Sequence, residues 1–186
     1  MGVSSWRTVP IQRPGDTHRR WPVNTRSSPP DLISLLNDAL ARELQVSVQY
    51  MLQHAIGAGA TATAARGTPA ARRAKFVASH SMYWLPGATL KKVAIAEMRH
   101  AEAIAERIVQ LGGAPTTQPA PITIGETVED MLGIDREQER SAIVLYQRII
   151  EAAAGAADEA TRSMFQRILK DEETHHRLFT EQLGEG

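Results

Sequence analysis

The chain carries one pattern twice: a glutamate, a tyrosine seven residues later, and further on a Glu-x-x-His. The first copy is Glu43, Tyr50 and Glu97-Met98-Arg99-His100, and the second is Glu139, Tyr146 and Glu172-Glu173-Thr174-His175. Residues three apart share a helix face, so each Glu-x-x-His aims a carboxylate and an imidazole the same way, and each lone glutamate can meet them from another helix. Glu43 is the only acid between Asp38 and Glu97, and it is flanked by Leu44, Val46 and Val48. A carboxylate buried alone there would be costly, so Glu43 calls for a cation or a metal. Four carboxylates and two imidazoles converging inside a helix bundle make a site for two metal ions, and that demands four helices around one axis.

The rest of the sequence supplies those helices. Ser28-Pro29-Pro30-Asp31 reads as a helix start, with Ser28 as N-cap. From there Leu32, Leu35, Leu36, Ala39, Leu40, Leu44, Val48, Met51 and Leu52 recur at helical spacing, and Gly57 and Gly59 are expected to stop the run. A second helix is expected from Pro86 to Leu111, closed by Gly112-Gly113. Thr123-x-x-Glu126 has the form of a capping box opening a third, which runs to about Ala154. The fourth is expected from Asp158 to Leu183. Glu139 precedes Glu172 by 33 residues, which suits third and fourth helices packed antiparallel with both residues near mid-length.

Connectivity follows from one linker. Gly112–Ile124 holds 13 residues rich in proline and threonine. Extended, such a segment reaches roughly 43 Å, while a helix of about 26 residues is roughly 39 Å long. The linker can therefore return the chain to the opposite end of the bundle, so an all-α four-helix bundle with one long crossover between the second and third helices is expected. Residues 57–85 form an insertion, since antiparallel neighbours need only a short loop. Thr68 to Phe76 offers a short helix within it. Residues 1–27 form a basic, Pro/Arg-rich arm ahead of the bundle of residues 28–186.

Composition narrows the chemistry. The 186 residues suffice for one domain with a sizeable core, and 42% hydrophobic with 23% charged residues is ordinary for a globular protein. There is no cysteine, so disulfides and thiolate metal sites are excluded and any metal is held by oxygen and imidazole nitrogen, a set that suits iron or manganese. No stretch approaches the roughly 20 apolar residues of a membrane span, and the first 30 residues hold no apolar signal core; a cytoplasmic location is expected. Net charge is zero, yet Met1–Pro30 takes five of the 21 basic residues and one of the 21 acidic ones, leaving a basic arm on an acidic body. Such an arm leaves nucleic acid open as a contact, although a solvated terminus is the commoner case and no nucleic acid is expected.

At the ligand positions the chain resembles the bacterioferritin branch of the ferritin-like superfamily. The matching stretches are Leu36–Tyr50 (LNDALARELQVSVQY), Ala96–Gly113 (AEMRHAEAIAERIVQLGG), Ile124–Leu132 (IGETVEDML) and Ile168–Leu178 (ILKDEETHHRL). The resemblance implies the ferritin-like bundle, two iron ions per chain with manganese as a substitute, and a homo-oligomer. It implies Glu43 and His100 as terminal ligands of one metal, Glu139 and His175 of the other, and Glu97 and Glu172 as bridges. Tyr50 and Tyr146 then read as hydrogen-bond donors or electron sources beside the site, or as ordinary core tyrosines. Met98 matches the methionine that binds haem b across a two-fold interface, and a gap-filling interface methionine is the other reading. His54, His80 and His176 fit no ligand spacing. A short fifth helix, which helps close a 24-subunit shell in bacterioferritins, is not expected after the fourth, so a dimer or another assembly is the expectation.

Three functions stay open on these residues. The first is a ferroxidase that binds Fe(II) and oxidises it to Fe(III) with O2 or H2O2, serving iron homeostasis or detoxification. The second is a diiron or manganese–iron oxidase or peroxidase acting on an organic substrate. The third is a metal-free helical interaction module. The repeated ligand pattern favours the ferroxidase.

Overall fold

The computed structural model describes residues 30–64 and 87–184, all helix, turn and extended connection. Among the described residues four helices follow in order: α1 Pro30–Ala64, α2 Gly87–Gln110, α3 Val128–Gly155 and α4 Glu159–Gln182. The N-terminal arm, Ser28, the start of the second helix at Pro86, His80 and the Thr68–Phe76 helix lie outside the described residues.

Each helix carries a buried stripe at three- and four-residue steps. On α1 it runs through Leu32, Leu36, Leu40, Glu43, Val46 and Tyr50; on α2 through Leu90, Val93, Glu97, Ala101, Ile104 and Ile108. On α3 it passes Val128, Leu132, Asp135, Glu139, Ala142, Tyr146 and Ile149, and on α4 Thr161, Phe165, Ile168, Glu172 and Phe179. The glutamates are buried because they occupy core positions of these stripes.

The stripes meet as two apolar layers. One contains Leu32, Leu36 and Leu40 with Ile104, Ile108, Tyr146, Ile149, Phe165 and Ile168. The other contains Val46 and Tyr50 with Leu90, Val93, Val128, Leu132 and Phe179. The start of α1 thus meets the ends of α2 and α3 and the start of α4. That makes α1 parallel to α4 and antiparallel to α2 and α3. Since α2 and α3 run the same way, the chain between them must cross the bundle's length, which is the expected crossover. It lies along α1: Asn37 bonds the Ala114 carbonyl at 3.2 Å and the Thr116 N–H at 2.7 Å, the Ala120 N–H reaches the Ala41 carbonyl at 2.8 Å, and the Thr123 N–H reaches Gln49 at 3.3 Å. Gly112 ends α2 with φ 81°, a left-handed conformation that glycine adopts freely.

Two sequence expectations are corrected. Gly57 and Gly59 do not stop α1, which continues to Ala64. A helical glycine costs about 1 kcal/mol relative to alanine but does not break a helix, and alanines at 58, 60, 62 and 64 alternate through this stretch. The first residues of the supposed insertion are therefore helix. The capping box of α3 is Thr127 with Asp130, not Thr123 with Glu126: the Thr127 side chain accepts from the Asp130 N–H at 3.1 Å and the Asp130 carboxylate from the Thr127 N–H at 3.0 Å. Thr123 is instead held by Gln49 in the crossover. At the other end of the α3–α4 hairpin, Asp158 caps α4 through the Thr161 N–H and is clamped by Arg107 of α2 at 2.6 Å.

Candidate metal centre

Between the two apolar layers lies a polar belt. Glu43 of α1, Glu97 of α2, Glu139 of α3 and Glu172 of α4 are completely buried, with His100 and His175 nearly so. The six fall into two overlapping groups of potential metal ligands, Glu43, Glu97, His100 and Glu172, and Glu97, Glu139, Glu172 and His175; within each, one donor atom from every residue lies within 4.8 Å of the others. Glu97 and Glu172 belong to both. Each group adds its own glutamate and histidine to this shared pair.

Only some of the donor atoms satisfy each other, as His100 Nδ1 and Glu97 Oε2 do at 2.9 Å. His175 Nδ1 lies 2.8 Å from Glu97 Oε1, and His100 Nδ1 lies 3.1 Å from Glu172 Oε1. Glu43 Oε2, Glu97 Oε1, both Glu172 oxygens and His175 Nδ1 are nonetheless buried with no hydrogen-bond partner. Orphaned carboxylate oxygens in a dry interior cost several kcal/mol per group unless a cation receives them, so this donor set fits two metal ions of the hard or borderline kind.

Electrostatics tell the same story. Burial, followed by the charges of Glu172 and Glu97, raises the Glu43 carboxyl well above its usual range; burial and Glu172 do the same to Glu139. Burial works against the charged form of Glu97 as well, but the hydrogen bond with His100 and the adjacent His175 imidazole outweigh it and hold that carboxyl low. Burial likewise disfavours the His100 imidazolium, yet Glu172 and Glu97 push it up to about 10. Protons thus occupy part of the place that metal charge would take.

The tyrosines are crossed between helices. Tyr50 of α1 donates to Glu139 of α3, and Tyr146 of α3 donates to Glu43 of α1. Each ring is backed by an aromatic of α4: Tyr50 by Phe179 with centroids 5.5 Å apart, Tyr146 by Phe165 at 5.2 Å. Met98 faces outward, half exposed, with Ile95 on the same helix; α1 leaves Val48, Met51, Leu52 and Ile56 exposed. His54 and His176 join no ligand group among the described residues.

Three features escaped the sequence reading. Asp171, itself exposed, lies 3.3 Å from His100 Nε2, the ring nitrogen turned away from the glutamates, and so orients the imidazole. Arg42 is buried inside the belt and bonds to Glu43 and Glu139. Gln45, Gln49 and Gln53 on α1 form a buried amide ladder ending on Asp135. An acid directly before Glu172-x-x-His175 hints at the first; nothing local marks the other two.

This bundle and its paired ligand groups define a ferritin-like protein. A Ferritin-like domain model matches residues 87–186. The bacterioferritin of Desulfovibrio desulfuricans is 33% identical over 145 residues, covering 77% of this chain and 69% of the relative. A structure of D. desulfuricans bacterioferritin, whose diiron site is captured in different catalytic states, superposes with a TM-score of 0.65 at 31% identity, covering 83% of this chain and 78% of that one. A Rhodobacter capsulatus bacterioferritin with a metal-free dinuclear site and haem iron on a crystallographic special position has a TM-score of 0.67 over 85% of this chain and 86% of that one; at 24% identity it speaks for the fold alone. The chain belongs to the ferritin-like family, in its bacterioferritin branch.

Proposed function

We propose that the protein is a ferroxidase in iron handling, taking Fe(II) as substrate and oxidising it to Fe(III) with O2 or H2O2. The observation that carries this is the pair of donor groups sharing Glu97 and Glu172. Two ferrous ions held side by side supply the two electrons that take O2 to H2O2 or H2O2 to water. In this reading Glu43 and His100 hold one ion, Glu139 and His175 the other, and Glu97 and Glu172 lie between them.

The chain's own groups prepare the site. Tyr50 and Tyr146 fix one oxygen each of Glu139 and Glu43; the second oxygen of Glu43 is left without a partner, and that of Glu139 is held by Arg42. Asp171 sets the His100 ring so that Nδ1 faces the carboxylates. The apolar layers on either side exclude water and strengthen every interaction in the belt. Metal-free protein loaded anaerobically with Fe(II) and then oxygenated tests the proposal by ferric absorbance. A break at two irons per chain with oxidation continuing beyond it is expected, and loss of that oxidation in Glu97→Ala. A stop at two irons with no turnover would move the assignment to an oxidase with a stable cofactor.

The exposed Met98 thioether, with the apolar side chains that α1 and α2 leave uncovered, further supports a haem b between two copies of the chain. Protein refolded with haemin is expected to show a bis-methionine haem spectrum, which Met98→Leu abolishes.

A further inference from the structure

Arg42 is placed where a purely structural arginine gains little. Its guanidinium is buried between α1 and α3, anchored on the Gln138 carbonyl by Nε at 3.2 Å and Nη2 at 2.7 Å. The remaining donors enter the metal belt. Nη2 bonds Glu139 Oε2 at 3.1 Å; Nη1 bonds Glu43 Oε1 at 3.3 Å and the Tyr146 hydroxyl at 3.4 Å, and lies 3.7 Å from Glu172 Oε2. One side chain therefore touches glutamates of both ligand groups, and it does so with a charge that is not lost at any ordinary pH.

Charge counting gives the consequence. Four ionised glutamates balance two divalent ions, so the guanidinium leaves the doubly loaded centre one charge in excess. The first ion enters a centre with three uncompensated negative charges and the second a centre with only one, where without the arginine it would meet two. We infer that Arg42 is a resident cation of this centre, which competes with divalent ions for Glu43 and Glu139 and so weakens binding of the second ion. The inference rests on the metal-centre reading above. In the metal-free chain the same contacts hold the two side chains in place. As ions arrive, Glu43 and Glu139 exchange hydrogen bonds from Arg42 for metal. The arginine stays tethered to Gln138 and returns when the ions leave. A centre built this way releases its second ion readily, as turnover of a metal substrate requires.

The test is calorimetric titration of the full-length, metal-free protein with Zn2+, which does not undergo oxidation, comparing wild type, Arg42→Gln and Arg42→Lys at one pH. For wild type two ions of unequal affinity are expected. Removing a like charge a few ångströms from the site in Arg42→Gln tightens the second ion by roughly ten- to hundredfold. Arg42→Lys, which keeps the charge, stays within about threefold of wild type. Equal or weaker binding of the second ion in Arg42→Gln overturns the inference, as does an equal gain in both variants. Should Arg42→Gln fold only with metal, stripping its Zn2+ stepwise with a chelator reads the same constant, and loss of the second ion as easily as in wild type is again a refutation. If no version binds Zn2+, the metal-centre reading fails and the inference with it; if all three bind two ions alike, only the role of Arg42 fails.

Discussion

Asp135 provides a test of the bundle's energetics away from the metal ligands. Its side chain is 1% exposed and Oδ1 accepts from Gln49 Nε2 and Gln53 Nε2, both at 2.9 Å. Burial dominates, the two amides only partly offset it, and the carboxyl is pushed from 3.8 up to about 7. Below pH 3.8 the group is protonated folded or unfolded and does not affect the balance. Between 3.8 and 7 the folded protein keeps a proton that the unfolded chain has released, so stability falls as pH rises; above 7 the full cost is present. At about 1.4 kcal/mol per pH unit that cost is up to about 4 kcal/mol. Asp135→Asn keeps an acceptor for Gln49 and Gln53 and removes the charge. Urea unfolding of the metal-free protein, followed by circular dichroism from pH 5 to pH 8, is expected to show the variant gaining on wild type by about 2–4 kcal/mol across that range. The other buried carboxyls titrate in both proteins and cancel in the difference. Parallel stability curves would refute the reasoning, because they would mean that Asp135 reaches water or a cation in solution.

Other outcomes follow from single contacts. Asp158→Ala removes the α4 cap and the Arg107 clamp and is expected to lower stability by about 1–2 kcal/mol in thermal unfolding, a loss that shrinks below pH 4 because the Arg107 pairing holds the Asp158 carboxyl low. Ala157 has φ 54°, so Ala157→Gly is expected to raise the midpoint, stabilising by about 0.5–1 kcal/mol once the glycine's added unfolded-state freedom is counted. Ile104→Ala, fully buried in the first apolar layer, is expected to cost about 2–5 kcal/mol without altering Zn2+ stoichiometry. Asp171→Asn loosens the His100 ring and is expected to weaken metal binding by about 10- to 100-fold in chelator competition while leaving the metal-free midpoint near wild type.

Much of this was legible in the sequence because two periodicities agree. The apolar run of α1 read from the sequence ends on Val48, Met51 and Leu52, which the fold leaves exposed, but the buried stripe through Leu36, Leu40, Val46 and Tyr50 does carry Glu43. The same holds for Glu139 among Leu132, Ala142 and Tyr146. The crossover was legible because a 13-residue linker without helix pattern has the reach of a whole helix. Boundaries were less so. Gly57 and Gly59 look like stops only if their alanine neighbours are ignored, and two capping signals separated by four residues compete at the start of α3, where Gln49 takes the Thr123 N–H. Arg42 was illegible for a different reason. Beside a glutamate on a helix, an arginine reads as part of the solvated face, and its partners on α3 stand 96 and 97 residues away in sequence. The Gln45–Gln49–Gln53 ladder has the spacing of a helix face, but its acid partner lies 82 residues on from Gln53.

The placement of the belt explains how a small bundle carries so much buried charge. Each layer is apolar on all four helices and supplies hydrophobic stabilisation at both ends, so the middle can be unfavourable without the chain unfolding. The belt's cost is reduced by positive charge favoured on the His100 and His175 imidazoles and permanent on Arg42, and by protons favoured on Glu43 and Glu139. Of these, only Arg42 cannot leave when metal arrives, since imidazoles and carboxyls exchange protons for metal whereas a guanidinium does not. Replacing the whole belt with leucines would stabilise the metal-free bundle, as happens when buried ion networks are exchanged for packed apolar groups. The belt therefore makes sense only as a site kept ready for ions, stable enough empty to persist and unfavourable enough to bind.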